Sequence, residues 1–526
     1  MNTGYMFEEN TVDQNLDFDV FGFASAYAPL CLLELPASQI LELTEDERVA
    51  EIGLIPESEV VSYATSGGAS VQGTYVRDTN GYTGEGAVVG IIEAEGFPNR
   101  QLAELVGADI HLRSDMPSVT SDHATRVASI ICGQTVGLAP DCKVYATYVR
   151  DTYDEDDTYA VRVAKVHAEF IQQMEWLLSM GVHVINASMG VDTLSGESGI
   201  YSELDKWVDH VDMNHDVLVV FAVGNDGSGF LSDVASPATL YNGISVGAYD
   251  DNNDTNHSND VLAFFSCYNE LDYSEYEENY REYESIYGDA FIVAPEKPDL
   301  IAPGVNIDIP GMPVDESNDE EKNLNDGTSF AAPFVTATVA QMIDAKPELK
   351  TQPGIIKAAL LASAFRKINP NDYSSAGGSM AFSDKEGAGK LDSKNAIYVV
   401  ASTNYTYEYF WKSTSSHTVT IYANASETQM RVAVTWLKQN VLNADELPDG
   451  VEHNDYESIS LVNNRPLSDW DLEVYDPNGN LIEYSYMKNG NVEVVEFDPG
   501  ITGNYTIKII KRGGTTEKEF VYLAWW

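Results

Sequence analysis

The chain has few basic residues. Of its 526 residues, 30 are Lys or Arg and 83 are Asp or Glu, so the formal net charge is −53. Proteins bind nucleic-acid phosphates and anionic membrane surfaces through Lys and Arg. The composition therefore argues against nucleic acid and anionic membranes as partners. It fits a soluble extracellular protein, a salty habitat or the binding of divalent cations, and does not choose among them.

Long apolar runs are also missing, and cysteines are scarce. No stretch is long and apolar enough to span a bilayer, so we expect no membrane insertion. The first residues, "MNTGYMFEENTVDQN", have neither the basic region nor the apolar region of a signal peptide, so none is visible. The four cysteines are too few for a disulfide scaffold; they are Cys31, Cys132, Cys142 and Cys267. Cys132 and Cys142 are close enough in sequence to pair, but buried thiols fit better.

The length predicts about three domains at roughly 150 residues each. Residues 1–76 read as strand (Leu30–Leu35), short helix (Ser38–Leu43) and strand (Val49–Ile52). In residues 77–398 apolar strands alternate with helical patterns, which predicts an α/β domain with a parallel sheet and helices on both faces. Residues 399–526 change to short strands of period two, which predicts an all-β sandwich.

The predicted strands and helices of the middle zone, residues 77–398, locate the reactive side chains of this part of the chain. The strands are Val88–Ile92, Lys143–Tyr148, Val182–Ala187, Val217–Ala222 and Gly243–Gly247. The helices are Thr125–Cys132, Tyr159–Met180, Ile200–Val211 and Ala331–Ala345. A tyrosine-rich and glutamate-rich segment, residues 268–287, has the spacing of one helix face, and we interpret it as a packed surface insertion rather than a binding face.

Four stretches of the middle zone carry reactive side chains. "GAVVGIIEAEG" is a buried strand that ends in Glu93 and Glu95, and a carboxylate there is costly without a partner. "SDHATRVASIICG" puts His123 at the start of a helix, and "VLVVFAVGNDG" runs from a strand into Gly224 and Asn225. In "LNDGTSFAAPFVTA", Ser329 opens a helix.

Together these side chains supply what acyl transfer requires. A serine hydroxyl is a weak nucleophile until a base takes its proton. A neutral histidine is that base, and a carboxylate fixes its tautomer and stabilises the imidazolium. An amide side chain and backbone N–H groups stabilise the oxyanion. The free N–H groups at a helix N-terminus favour the developing negative charge.

At this point the sequence resembles the subtilisin-like serine peptidases. The resemblance rests on the order carboxylate, "HATRVA", "VFAVGN", "GTSFAAP", and on "GLAPDCKVYATYV", "GVHVINASMG", "SPATLYNGISVGAYD", "KPDLIAPG" and "GAGKLD". It covers residues 77–398. It implies a serine endopeptidase with Ser329 as nucleophile, His123 as base and Asn225 in the oxyanion hole, acting on proteins or peptides and needing no cofactor.

The sequence departs from the family pattern at the carboxylate. The family has an aspartate at the end of the first strand, and the register of "VVGII" aligns Glu93 with it; Glu95 is the rival. Glutamate has the same charge and the same acceptor oxygens, so the change does not itself imply inactivity. Ala124 and Arg126 replace a glycine and a second histidine of the family. We expect Asp122 to be a helix cap.

The resemblance also implies a substrate site. The substrate strand is expected beside Ser188, Met189 and Gly190, and these residues with the Gly224 backbone would line an apolar pocket for the residue before the scissile bond. Residues 1–76 resemble the end of a propeptide, and an extracellular or cell-surface location follows by family resemblance. The alternative is an impaired pseudoprotease or an adhesion protein on the same scaffold.

The sequence says less about metal sites and oligomeric state than about the catalytic residues. No catalytic metal is expected. The acidic loops at residues 151–157 and 251–260 have the oxygen ligands that calcium takes, but neither matches a spaced calcium loop. Solvated acidic loops are therefore the preferred interpretation, and structural calcium is left unassigned. The sequence does not indicate an oligomeric state.

Overall fold

The computed structural model divides the chain into two compact units, Met1–Ser62 and Tyr63–Trp526. It describes residues 2–6, 22–24, 30–34, 51–55, 63–150, 159–190, 201–227, 234–269, 295–312, 325–365, 367–369, 381–411, 413–427, 429–439, 467–487, 490–514 and 518–526. The predicted boundary at residue 76 lies inside the second unit. Its first helix, Tyr63–Ser70, explains this: Ser66 Oγ donates to Asp251 Oδ2 at 3.1 Å, and Ser70 Oγ bonds Tyr249 Oη at 3.0 Å.

The first unit contains an antiparallel sheet of order β2-β3-β1-β4. Its strands are β1 (Asn2–Met6), β2 (Gly22–Ala24), β3 (Leu30–Glu34) and β4 (Glu51–Ile55). The strands predicted at Leu30–Leu35 and Val49–Ile52 correspond to β3 and β4. The strands β1 and β2 were not predicted, and the predicted helix Ser38–Leu43 lies outside the described residues.

The second unit begins with an α/β domain that is built on one eight-stranded sheet. Its strands are β5 (Val88–Glu93), β6 (Ile110–Leu112), β7 (Lys143–Tyr148), β8 (Val184–Ala187), β9 (Leu218–Ala222), β10 (Ile244–Asp250), β11 (Val261–Leu262) and β12 (Leu300–Pro303). The order is β11-β10-β9-β8-β5-β7-β6, and β12 pairs with β10. All pairs are parallel except β10 with β11.

Helices cover both faces of this sheet. They are α1 (Tyr63–Ser70), α2 (Asp122–Cys132), α3 (Tyr159–Ser179), α4 (Glu203–His215), α5 (Thr328–Ala345), α6 (Pro353–Ser363) and α7 (Ser393–Ala401). Alternate strand residues enter different cores: Val89 and Ile91 belong to the larger apolar cluster and Ile92 to the smaller one. Two buried faces are what a parallel sheet requires, so the predicted fold class is confirmed.

The C-terminal part is an antiparallel β-sandwich. One sheet has the order β13-β20-β15-β18 and the other β14-β19-β16-β17. The strands are β13 (Tyr405–Trp411), β14 (Ser416–Ala423), β15 (Met430–Trp436), β16 (Asp469–Tyr475), β17 (Leu481–Ser485), β18 (Val492–Phe497), β19 (Gly503–Gly513) and β20 (Lys518–Trp525). Trp436 and Trp470 are fully buried between the sheets, as the period-two pattern predicts.

Three cysteines, Cys132, Cys142 and Cys267, are buried and form no disulfide. This confirms the preferred interpretation of Cys132 and Cys142. Residues 151–157 and most of the tyrosine-rich segment lie outside the described residues.

Candidate active site

The carboxyl ends of three neighbouring strands bring the candidate residues to one edge of the sheet. Glu93 is the last residue of β5, Ser188 follows β8 directly, and Asn225 lies three residues after β9. Ligand sites of parallel α/β sheets form at this edge. Glu93 is 1% exposed, whereas Glu95 lies beyond the strand end and is exposed.

His123 lies in the first turn of α2. Ser121, in extended conformation, is the cap of this helix, and its hydroxyl accepts a hydrogen bond from the Ala124 amide at 3.3 Å. The prediction that Asp122 is the cap is therefore wrong. Asp122 is the first helical residue, where its negative charge is favourable next to the helix dipole. The helix holds His123 at its N-terminus, over the end of β5.

Glu93 and His123 form a direct contact. The distance between His123 Nδ1 and Glu93 Oε2 is 2.6 Å, and the side chains are 35% and 2% exposed. Burial lowers the pKa of His123, but the charge and the hydrogen bond of Glu93 outweigh burial, with a further contribution from the Glu95 charge. The pKa of His123 is therefore raised above its ordinary value of 6.5.

Glu93 depends on this histidine for compensation of its buried charge. Its other oxygen, Oε1, is buried, and no group in the described part of the chain hydrogen-bonds to it. A buried carboxylate is costly unless it is paired. The hydrogen bond to His123 therefore compensates for burying a carboxylate at the end of this strand.

Ser329 is the second residue of α5 and is held by the loop after β8. Its hydroxyl donates to the Ser188 carbonyl at 3.2 Å, and the Ser188 hydroxyl donates to the Ser329 carbonyl at 2.7 Å. The residue after Ser329 is Phe330, and the centroid of its ring lies 5.3 Å from the centroid of the His123 ring. Ser329 and His123 therefore lie on adjoining helix N-termini.

Asn225 is oriented by the start of the same helix. Its Oδ1 accepts hydrogen bonds from both the amide and the hydroxyl of Thr328, each at 2.9 Å. The Thr328 hydroxyl also accepts from the Gly224 amide at 3.2 Å. Because Oδ1 is occupied, the donor group Nδ2 is the end of this exposed side chain that is available to a ligand.

The predicted pocket residues are close together, and two further residues join them. Ser188 and Met189 are buried, whereas Gly190 is exposed. A Cβ added to Gly190 would lie 2.9 Å from Ala235 Cβ, and one added to Gly224 would lie 3.2 Å from Cys267 Sγ. Sequence reasoning missed Ala235 and Cys267, since neither has a motif of its own.

Arg126, which replaces a histidine of the family pattern, lies in the buried part of α2. It is 3% exposed, and its Nη1 donates to the Ile307 carbonyl at 3.5 Å. Burial lowers its pKa, and the carboxylates of Asp308 and Asp122 oppose that effect. The Arg126 charge in turn makes a small lowering contribution to the pKa of His123.

The acidic loop at residues 251–260 satisfies its carboxylates locally. The amides of Asn252, Asn253 and Asn256 donate to the side chains of Asp250, Asp251 and Asp254. Among the described residues, no group of three or more His, Cys, Asp or Glu side chains is arranged to hold a metal ion. Structural calcium stays an unassigned prediction.

Across the described ranges, every helix is too short or too polar to cross a bilayer.

Comparison with known proteins extends the resemblance. The model of the subtilase family (Peptidase S8) matches residues 113–389. The serine protease AprX of Bacillus subtilis is 24% identical over 348 residues, which are 61% of this chain and 68% of AprX. Subtilisin Savinase of Lederbergia lenta is 26% identical over 274 residues, or 51% of this chain and 80% of Savinase.

The solved structures that match part of this chain include two proteases. The prenylagaramide maturation protease PagA has a TM-score of 0.43 and 24% identity, covering 62% of this chain and 98% of PagA. MycP3 of the type VII secretion system has a TM-score of 0.44 and 18% identity, covering 65% of this chain and 89% of MycP3. Because both TM-scores are low, the assignment rests on the family match, which covers more than half of the chain. The chain belongs to the subtilase family and is a subtilisin-like serine endopeptidase.

Proposed function

We propose that this endopeptidase hydrolyses peptide bonds with a triad of Ser329, His123 and Glu93, and with Asn225 in the oxyanion hole. The observation that carries the proposal is the 2.6 Å contact between His123 Nδ1 and the buried carboxylate of Glu93. This contact engages Nδ1 and leaves Nε2 as the nitrogen that can act as base. Glu95 is exposed and acts on His123 only through its charge.

The first half of the reaction forms the acyl-enzyme through a tetrahedral intermediate. Ser329 Oγ attacks the carbonyl carbon of the substrate, and His123 Nε2 takes the hydroxyl proton. The hydroxyl donates to the Ser188 carbonyl in the free enzyme, so it must rotate towards His123 when substrate binds. Catalytic hydrogen bonds often tighten only in the substrate complex. Glu93 stabilises the imidazolium that forms.

The negative charge on the carbonyl oxygen needs donors in place beforehand. Asn225 Nδ2 is one donor, and its opposite end is fixed by Thr328. The Ser329 amide is the other, since the first N–H groups of a helix have no partner within the helix. His123 then gives its proton to the amine nitrogen as the C–N bond breaks, which leaves the acyl group as an ester on Ser329 Oγ. A water molecule, deprotonated by His123, attacks this ester, and the proton returns to Ser329 Oγ as the carboxylic acid product leaves.

The substrates are proteins or peptides with a medium or large apolar residue before the scissile bond. Ser188, Met189 and Gly190 would pair with the substrate strand. A side chain at Gly190 or Gly224 would crowd the pocket, because its Cβ would lie 2.9 Å from Ala235 Cβ or 3.2 Å from Cys267 Sγ. The lining residues Met189, Ala235 and Cys267 carry no charge. An extracellular or cell-surface location remains part of the proposal, by family resemblance.

A fluorophosphonate probe tests the proposal directly. We expect the probe to modify Ser329 in the native chain and to leave the Ser329→Ala variant unlabelled, with the thermal unfolding midpoint unchanged. The same variant is expected to lose hydrolysis of casein. A native chain that neither reacts with the probe nor cleaves casein would favour the pseudoprotease or adhesion alternative.

A further inference from the structure

The turn that carries Asn225 is fastened from behind by one short segment. The Cys267 amide donates to the Gly224 carbonyl at 3.2 Å, and the Asp226 amide donates to Cys267 Sγ at 3.2 Å. One residue further on, the Gly227 amide donates to the Phe265 carbonyl at 2.8 Å. Cys267 therefore bonds the residue before Asn225 with its backbone and the residue after it with its side chain.

The fit between Cys267 and the turn is close. Gly224 has φ +108°, which is a left-handed conformation that favours glycine. A Cβ at this position would lie 3.2 Å from the Cys267 sulfur. Cys267 is 2% exposed and belongs to the smaller apolar core of the sheet. The backbone and the side chain of Cys267 thus connect this apolar core to the exposed turn.

Asn225 is held from two sides. Thr328 fixes the position of the side-chain oxygen of Asn225 through two hydrogen bonds, but these bonds alone do not fix the position of Nδ2. The position of Nδ2 also depends on the backbone of Asn225, and Cys267 forms hydrogen bonds with both neighbours of that residue, Gly224 and Asp226. The oxyanion donor must be within a fraction of an ångström of its productive position to be effective.

We propose that Cys267 is a positioning residue for the oxyanion hole, which acts through Asn225 by accepting the hydrogen bond of the Asp226 amide. The inference rests on the proposed role of Asn225. A thiol sulfur is a weak acceptor, and a serine hydroxyl is a stronger one. A serine at this position therefore supports the turn, and a side chain of similar size without an acceptor does not.

Three substitutions separate this role from simple filling of the core. Cys267→Ser keeps an acceptor, Cys267→Val fills the space without an acceptor and is larger by about one methyl group, and Cys267→Ala removes the acceptor together with the volume of the sulfur. Positioning predicts that kcat falls about 10-fold in the Val and Ala variants and stays within about threefold in Ser, since small displacements of catalytic groups are costly. KM is expected to change less than about twofold in all three. Core filling predicts the reverse order, with Val close to the native chain.

A peptide boronate inhibitor supplies a second readout, because its tetrahedral adduct puts an oxygen in the oxyanion hole. Its inhibition constant should rise in Cys267→Val by the factor by which kcat falls. All rates are normalised to the fraction of enzyme that the fluorophosphonate titrates, so misfolded protein does not contribute. Cys142→Ala is the matched control, since this buried thiol precedes β7, at the opposite end of the sheet.

A double-mutant cycle with Asn225→Ala completes the test. If Cys267 acts through Asn225, Cys267→Val has no further effect on kcat in the Asn225→Ala background. Additive losses, or a Val variant with native kcat and native boronate affinity, would overturn the inference. If Asn225→Ala itself leaves kcat unchanged, the proposed oxyanion hole is wrong. If instead Asn225→Ala lowers kcat and Cys267→Val does not, the oxyanion hole stands and only the role of Cys267 is wrong.

Discussion

The two glutamates near His123 provide a matched pair for testing the triad. Glu93→Gln keeps the size of the buried side chain but removes its charge and replaces one acceptor oxygen with a donor group. Glu95→Gln makes the same chemical change at an exposed position, and both carboxylates raise the pKa of His123. A purely electrostatic role for Glu93 would make the two variants differ only as far as their charges differ in their effect on the His123 pKa, whereas a role in orienting the ring adds a large loss of kcat in Glu93→Gln alone.

The structure sets the expected size of each effect. In Glu93→Gln the amide can donate to Nδ1 and favour the wrong histidine tautomer. The comparable change of aspartate to asparagine in a serine-protease triad costs about 10⁴ in kcat, or about 5.5 kcal/mol of transition-state stabilisation. Glu95→Gln leaves the 2.6 Å contact intact, so its kcat/KM should fall less than about threefold at a pH where His123 is neutral.

The pH dependence gives an independent signature. His123 must be neutral to act as base, and its raised pKa means that activity is lost as the pH falls through a value above 6.5. Removing either carboxylate lowers the His123 pKa, because burial then opposes protonation with less compensation. The acid limb of the kcat/KM profile should therefore move to lower pH in both variants, and further in Glu93→Gln than in Glu95→Gln.

The assay is kcat/KM on one chromogenic peptide from pH 4 to 9, with active sites titrated by fluorophosphonate and folding checked by thermal unfolding at each pH. A large loss in Glu95→Gln with near-native activity in Glu93→Gln would refute the assignment of Glu93. Native activity in both variants would mean that neither glutamate orients His123. A rate that still rises towards pH 4 would refute a histidine base altogether.

Further predictions concern the oxyanion hole, the pocket and the sandwich. Asn225→Ala should lower kcat by about 10²–10³ with little change in KM, measured on the same peptide. Thr328→Val removes the hydroxyl that donates to Asn225 Oδ1 and should lower kcat by about 10-fold. Gly190→Val should reduce kcat/KM for substrates with phenylalanine before the scissile bond relative to those with alanine. The valine side chain has no room beside Ala235 and would therefore narrow the pocket; an unchanged ratio would mean that Gly190 does not line it. Arg431→Ala should destabilise the fold by about 3 kcal/mol or more, read from urea unfolding, because three backbone carbonyls lose a buried charged donor.

Periodicity predicted the central strands β5, β7, β8, β9 and β10 well because they are largely buried on both faces, whereas the shorter strands β6, β11 and β12 were not predicted. Lys143–Tyr148 is found as predicted, and Val88–Glu93 is one residue longer than predicted. Continuous apolar runs between turns are typical of such strands. Helix ends were less accurate: α2 begins at Asp122 rather than Thr125, and α4 runs from Glu203 to His215 rather than from 200 to 211. Capping by Ser121 and Ser202 determines where these two helices begin, and capping depends on local geometry.

Other features depend on contacts between residues that are distant in sequence. Cys267 bonds to the turn at Asn225 across about 40 residues, and Ser188 bonds to Ser329 across 141. No local pattern encodes such pairs. In the first unit the strands β3 and β4 were predicted but their pairing with β1 was not, since it joins residues that are distant in sequence.

The sandwich is joined to the α/β domain by a buried contact, which argues that it is not a detachable accessory. Arg431 of β15 is 1% exposed, and its guanidinium donates to the carbonyls of Ala364, Ala381 and Ala388 in the α/β domain. A Cβ added to Gly354 of α6 would lie 2.3 Å from the Tyr522 ring of β20. Without the sandwich, these carbonyls and the apolar surface of α6 would be exposed to water. A chain that ends before β13 should therefore be less stable than the full chain, although every proposed catalytic residue precedes that point.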